Sequence, residues 1–209
     1  MNMTPQEIKA LLLKVTKQAY ADKMFAATSG NLSIYDRETG RMYITPGSYP
    51  YEIMTVDDVM VIDLDGKILD GPHKPSSEWR MHAAVYRSDE RVNAIVHTHS
   101  PYATAFAINN MPIPVVLYEI VFFLGGDIPC AEGAIPGTPE VGENCVKVLK
   151  DRYGCLMGNH GALAVGDTLE RAYTRAVYIE DAAKAYSIAL THGPVKVIDR
   201  ADVEKILKR

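Results

Sequence analysis

The segment Asn93-Ala94-Ile95-Val96-His97-Thr98-His99-Ser100-Pro101 constrains the fold more than any other. A short apolar run, bounded by Asn before it and Pro after it, reads as a buried strand. Two histidines one residue apart end that strand. Alternate strand residues share a face. His97 and His99 therefore present both imidazoles on one side, roughly 6.5 Å apart at the backbone. A metal ion held at about 2.0–2.1 Å from each nitrogen can bridge that gap. A pair of ligands is not a catalytic site, so the rest of the chain has to supply a third ligand and a catalytic group.

Composition narrows the setting. A chain of 209 residues suggests one domain, or two small ones, and can bury a core without staples. A formal net charge of −4 leaves no basic footprint for nucleic acid. No apolar run reaches transmembrane length, and Met1-Asn2-Met3-Thr4-Pro5 does not have the charge order of a signal peptide. Cys130, Cys145 and Cys155 are odd in number and lack Cys-x-x-Cys spacing, which fits reduced thiols in a cytoplasmic protein.

Thr4-Pro5-Gln6-Glu7 has the form of a capping box with proline at the first helical position. Ile8, Leu11, Leu12, Val15 and Ala19 continue it as an amphipathic helix over about 5–22. Leu32–Tyr35 and Met42–Ile44 read as strands joined by a turn, and Val59–Asp63 as a third strand leading through Asp65-Gly66 to Ile68-Leu69. These hairpins predict antiparallel pairing. Ser76 or Ser77 reads as the N-cap of a helix running to Ser88, with Glu78 in its first turn. Pro101–Asn109 reads as a short helix and Pro114–Tyr118 as a strand, with Tyr118 a packing residue. Further helices are expected over Glu140–Lys150, from Thr168 to about Thr191, and from Ala201.

Cys155-Leu156-Met157 and Ala162-Leu163-Ala164-Val165 form two short strands around Gly158-Asn159-His160-Gly161. Glycine there permits close backbone approach, and His160 is the candidate third ligand. His82 reads as a helix-surface or packing histidine, His73 as a solvated residue of a Gly-Pro turn, and His192 as a structural group past a helix end. Three neutral histidines leave a metal its charge and an open position, the pattern of a catalytic zinc. Such an ion polarises a carbonyl, and a carboxylate at Glu78 can shuttle a proton. The small-residue loops at Gly30-Asn31, Gly47-Ser48 and Ser76-Ser77 can hold a phosphate through amides and hydroxyls. Metal, proton shuttle and phosphate pocket together point to carbon–carbon chemistry on a sugar phosphate.

Ser29-Gly30-Asn31, Ile44-Thr45-Pro46, Pro75-Ser76-Ser77-Glu78, His97-Thr98-His99 and His160-Gly161 occur in the order and spacing of the class II aldolase/adducin family, which the chain resembles over nearly its whole length. The resemblance implies a single α/β domain over 1–209, a three-layer α/β/α arrangement around a central, mainly antiparallel sheet. It implies one zinc ion per subunit on His97, His99 and His160. Glu78 would be the acid/base, touching the metal when substrate is absent. Gly30, Asn31, Gly47, Ser48, Ser76 and Ser77 would bind phosphate. Tyr118 would protonate the aldehyde oxygen in a neighbouring subunit of a homotetramer. The implied reaction is reversible cleavage of a ketose 1-phosphate, such as L-fuculose 1-phosphate, to dihydroxyacetone phosphate and an aldehyde such as L-lactaldehyde. Gly47-Ser48 stands where Thr-Gly is expected. Ile135-Pro136-Gly137 and the tail from Val203 lack aromatic residues associated with the aldehyde end. A 5-deoxypentulose or methylthiopentulose 1-phosphate is thus an alternative substrate. Epimerisation of L-ribulose 5-phosphate is an alternative reaction, for which Asp is expected where Glu78 stands.

Overall fold

The computed structural model describes residues 3–208. Its centre is an eight-stranded sheet in the order β4-β3-β2-β1-β5-β8-β7-β6. The strands are β1 (Asn31–Asp36), β2 (Arg41–Ile44), β3 (Met60–Ile62), β4 (Ile68–Asp70), β5 (Ala94–Thr98), β6 (Cys130–Ala131), β7 (Gly154–Met157) and β8 (Gly161–Gly166). Every neighbouring pair is antiparallel except β6 with β7. The expected hairpins account for β1 to β4, and β5, the histidine strand, is fully buried between β1 and β8.

Strand alternation sorts the sheet into two apolar faces. Leu32, Ile34, Ala94, Val96, Ala162 and Ala164 pack with helices α1 (Pro5–Ala21), α3 (Pro101–Ile108), α4 (Tyr118–Leu124) and α6 (Leu169–His192). Ile95, Leu163, Val165, Cys155 and Met157 pack on the other side with α2 (Trp79–Ser88) and α5 (Pro139–Leu149). The result is three layers, helix on sheet on helix. A last helix, α7 (Arg200–Leu207), has no buried residue. No helix among the described residues is long and apolar enough to cross a membrane.

Local chemistry explains most element ends. The capping box at α1 is complete: Glu7 N donates to Thr4 Oγ1 at 3.3 Å, and Thr4 N donates to Glu7 Oε2 at 2.7 Å. Three expectations fail. Pro114–Tyr118 forms no strand; Ile113 makes one isolated bridge to Ile128, and the chain then enters α4 at Tyr118. Pro114 lacks a ladder donor, and Gly125 ends α4 in the left-handed region at φ +81°. The second concerns α2, whose N-cap is Glu78, not Ser76 or Ser77. His192 is the last residue of α6 and lies within it.

Candidate active site

The parity that sorts the core also aims the ligands. His97 shares a strand face with Ile95 and so looks toward α2, where Glu78 begins the helix. His99 follows the strand, its N–H donating to the Met24 carbonyl at 3.1 Å. His160 sits in the β7–β8 turn, after Asn159 at φ +57°, and its N–H donates to the Met157 carbonyl at 3.0 Å. Gly161 is required there. A Cβ at that position would meet the Thr98 carbonyl oxygen at 2.3 Å and the His97 ring at 3.3 Å.

One ligand atom each from Glu78, His97, His99 and His160 lies within 4.8 Å of the others. His97 Nε2 is 2.9 Å from His99 Nε2 and 2.9 Å from Glu78 Oε2. His160 Nε2 is 3.1 Å from Glu78 Oε1. His97 Nδ1 faces the Ala162 carbonyl at 2.9 Å. A carbonyl only accepts, so Nδ1 carries the proton and neutral His97 offers a bare Nε2. Glu78 Oε1 is buried without an aligned hydrogen bond among the described residues. A bare nitrogen against a second ring nitrogen and an orphaned carboxylate oxygen are costly when buried, and a shared cation relieves both. Tetrahedral coordination at about 2.0–2.1 Å sets neighbouring ligand atoms about 3.3 Å apart, close to the spacings here. The residues fit a divalent metal.

Burial pushes the Glu78 carboxyl up, but the positive charge that His97 and His160 carry when protonated outweighs it and holds the group below the ordinary carboxylate range; with the rings neutral, a bound cation would supply that charge instead. Burial, with His97 and His160 adding and Glu78 opposing, pushes His99 down to about 4. Both shifts favour the forms a metal ligand needs, ionised carboxylate and neutral imidazole.

Above the cluster opens a cavity of about 550 Å³. Glu78, His99 and His160 reach its lining, as do Gly30, Asn31, Gly47, Ser48, Ser76 and Ser77, while His97 lies behind them with no exposed surface. Gly30 stands at φ +79°, and Tyr51 donates to its carbonyl at 2.6 Å. Two loop amides are already used. Gly47 N donates to the Lys74 carbonyl at 3.0 Å and Ser76 N to the Thr45 carbonyl at 3.1 Å. The Ser76 hydroxyl accepts from Glu78 N at 3.3 Å.

Residues 10–187 match the family model for the class II aldolase and adducin N-terminal domain. The chain belongs to the class II aldolase and adducin family. It is 35% identical over 196 residues to a 5-deoxy-D-ribulose 1-phosphate aldolase from Bacillus thuringiensis, covering 91% of this chain and 92% of that one. It is 39% identical over 184 residues to an L-fuculose phosphate aldolase from Escherichia coli O6:H1, covering 87% and 84%. The solved structure of an L-fuculose 1-phosphate aldolase superposes with a TM-score of 0.92 at 34% identity, over 96% of this chain and 94% of that one. With its ligand cluster intact, this member is a class II, metal-dependent lyase.

Tyr118 does not join the family site within one chain. It is the first residue of α4, 52% exposed, outside the cavity lining, and not the packing residue its apolar neighbours suggest. His73 is not freely solvated either: its Nε2 lies 2.7 Å from Asp58 Oδ1, and its ring packs at a tilt against Tyr49 with centroids 4.5 Å apart. The largest omission is His82. It has no exposed surface, and both ring nitrogens are engaged, Nδ1 with Ser33 Oγ and Nε2 with Asn31 Oδ1, each at 2.6 Å. Its signal is present in the sequence: Glu78, His82 and Tyr86 recur at the four-residue spacing of one helix face.

Proposed function

We propose that the protein is a zinc-dependent aldolase that reversibly cleaves a ketose 1-phosphate, with L-fuculose 1-phosphate as the leading substrate. Dihydroxyacetone phosphate and an aldehyde such as L-lactaldehyde are the products. The observation that carries this is the convergence of Glu78, His97, His99 and His160 at the floor of a cavity whose mouth is lined largely by serine, threonine and glycine.

Zinc held by His97, His99 and His160 supplies a Lewis acid that polarises the ketone and lowers the energy of negative charge on the adjoining oxygens. The chain's residues do the rest. Ser48, Ser77 and the hydroxyl of Ser76, at the N-terminal end of α2, hold the phosphate, with Gly30, Asn31 and Gly47 shaping the pocket. Glu78, ionised, takes the proton from the hydroxymethyl carbon in the condensing direction and returns it in cleavage. The carbon–carbon bond forms to the aldehyde carbon, and Tyr118 of a neighbouring subunit of a homotetramer donates a proton to the aldehyde oxygen. The exposure of Tyr118 and Phe122 on one short helix supports an intersubunit role.

A second reading of the substrate, 5-deoxyribulose 1-phosphate, is favoured by the aldehyde end. Ile135, Pro136 and Gly137 offer no aromatic ring there, and Ile135 is 73% exposed. A panel of ketose 1-phosphates, assayed by coupled detection of dihydroxyacetone phosphate, ranks the two by kcat/KM. Absence of that product together with inversion of L-ribulose 5-phosphate would replace the aldolase with an epimerase.

Subunit mixing tests the shared site. Glu78→Gln and Tyr118→Phe, each nearly inactive alone, should recover about a quarter of wild-type activity when unfolded and reassembled together, since each ring site draws its two halves from different chains. No gain despite demonstrated exchange excludes Tyr118 from a neighbour's site.

A further inference from the structure

Five side chains ending at Glu78 form one buried chain, alternately from α2 (its N-cap included) and β1: Tyr86, Ser33, His82, Asn31 and Glu78. Tyr86 Oη is 2.6 Å from Ser33 Oγ, Ser33 Oγ is 2.6 Å from His82 Nδ1, His82 Nε2 is 2.6 Å from Asn31 Oδ1, and Asn31 Nδ2 is 3.0 Å from Glu78 Oε2. The helix places its three members four residues apart, and β1 places its two members two apart, so the faces interleave.

The proton positions follow from one end. The Glu78 carboxylate only accepts, so Asn31 must face it with its NH2 group. The Asn31 carbonyl oxygen then faces His82, so His82 Nε2 carries a proton. Burial pushes His82 down to about 3, so the ring is neutral and Nδ1 is bare. Nδ1 accepts from the Ser33 hydroxyl, whose oxygen in turn accepts from Tyr86. Every bond in the series donates toward Glu78, and bonds in series polarise one another.

We propose that His82 is a positioning residue for the active-site carboxylate: as the neutral tautomer protonated at Nε2, held by Ser33, it locks the Asn31 amide with its NH2 group on Glu78 Oε2. Without the lock the amide can turn over and set its oxygen against the carboxylate, which repels it. Glu78 then loses the one aligned side-chain hydrogen bond that fixes its Oε2. The proposal rests on the reading of Glu78 as acid/base and metal contact.

Two substitutions separate positioning from space filling. Glutamine carries its amide nitrogen where imidazole has Nε2, and asparagine where it has Nδ1. His82→Gln keeps the donor to Asn31; His82→Asn does not. Metal-free protein is titrated with Co2+ and followed by its visible absorption, and the zinc-loaded enzyme is assayed for kcat and KM. We expect His82→Gln within about 3-fold of wild type on every measure. His82→Asn should lose about 10–100-fold in Co2+ affinity or kcat, the usual scale for groups that orient metal ligands, with KM within about 3-fold and an altered Co2+ spectrum. Equal losses in the two variants, or no loss in His82→Asn, overturn the proposal. Should either fail to fold, Ser33→Ala decides: it should weaken Co2+ binding about 3-fold or more, and an unchanged affinity overturns the proposal. The Co2+ titration needs no substrate. The predicted Co2+ losses in a protein that cleaves no ketose phosphate would leave the positioning role standing and remove the aldolase reading.

Discussion

The Glu78–histidine corner and the loop mouth proposed to take phosphate share one cavity but are held in opposite ways. At the corner two of the four side chains are themselves held from behind, His97 by the Ala162 carbonyl and Glu78 by Asn31. His97 and Glu78 are nearly fully buried, at 0% and 6% exposure, while His99 and His160 are half-buried and face the cavity. At the mouth the backbone does the shaping. Gly30 and Ser48 adopt left-handed φ values of +79° and +54°, Ser77 is exposed, and the loops hang on main-chain bonds from Gly47 and Ser76. Coordination and proton transfer depend on where single atoms stand. Under the proposed function, phosphate recognition at Gly47-Ser48 and its neighbours sums several weak contacts, so the identity of any one residue matters less there than at the corner.

That contrast can be broken at either side, and the largest effect is expected at the corner. His160→Ala should lose metal and activity together, because His97 and His99 alone cannot hold a catalytic ion firmly; metal analysis showing full occupancy would refute this. Glu78→Gln should keep its metal and lose about 10²-fold or more in turnover. If instead the variant loses only thermal stability, Glu78 is merely a helix cap. At the mouth, Ser77→Ala should raise KM about 10-fold with metal content unchanged, the scale of one hydrogen bond to a charged group. A fall in bound metal would show that mouth and corner are not separable. The smallest effect is expected at Tyr51→Phe. It leaves the buried Gly30 carbonyl short of its 2.6 Å donor and should cost about 1 kcal/mol on denaturant unfolding with kcat unchanged.

The two regions also differed in how far the sequence revealed them. The ligand set could be read because its geometry is local. Two residues of separation bring His97, on β5, and His99, just past its end, to the same side, and flanking glycines marked the turn that carries His160. The outer helices and the hairpins from β1 to β4 came from periodicity in the same way. What failed depends on distant partners. His82 is a buried polar residue only because Asn31 and Ser33, 51 and 49 positions earlier, arrive beside it on β1. Ser76 and Ser77 look like helix caps, but the Ser76 hydroxyl is drawn to the amide of Glu78, and the helix starts one step later. The apolar run before Tyr118 is too short for its period to tell strand from helix, and what the exposed face of α4 meets is not written in its own spacing.

Asn31 stands directly opposite His97 in the β1–β5 pairing, at the far end of β1 from the turn into β2. One residue added or removed within either strand would turn the paired faces over and scatter the ligands. The turn before Gly40 carries no such register constraint: space is open there, with only Gly40 itself held to its residue type by a left-handed φ of +68°. It is therefore the natural place to splice in a fluorophore tag or an affinity handle, with the catalytic end of the same strand left in frame.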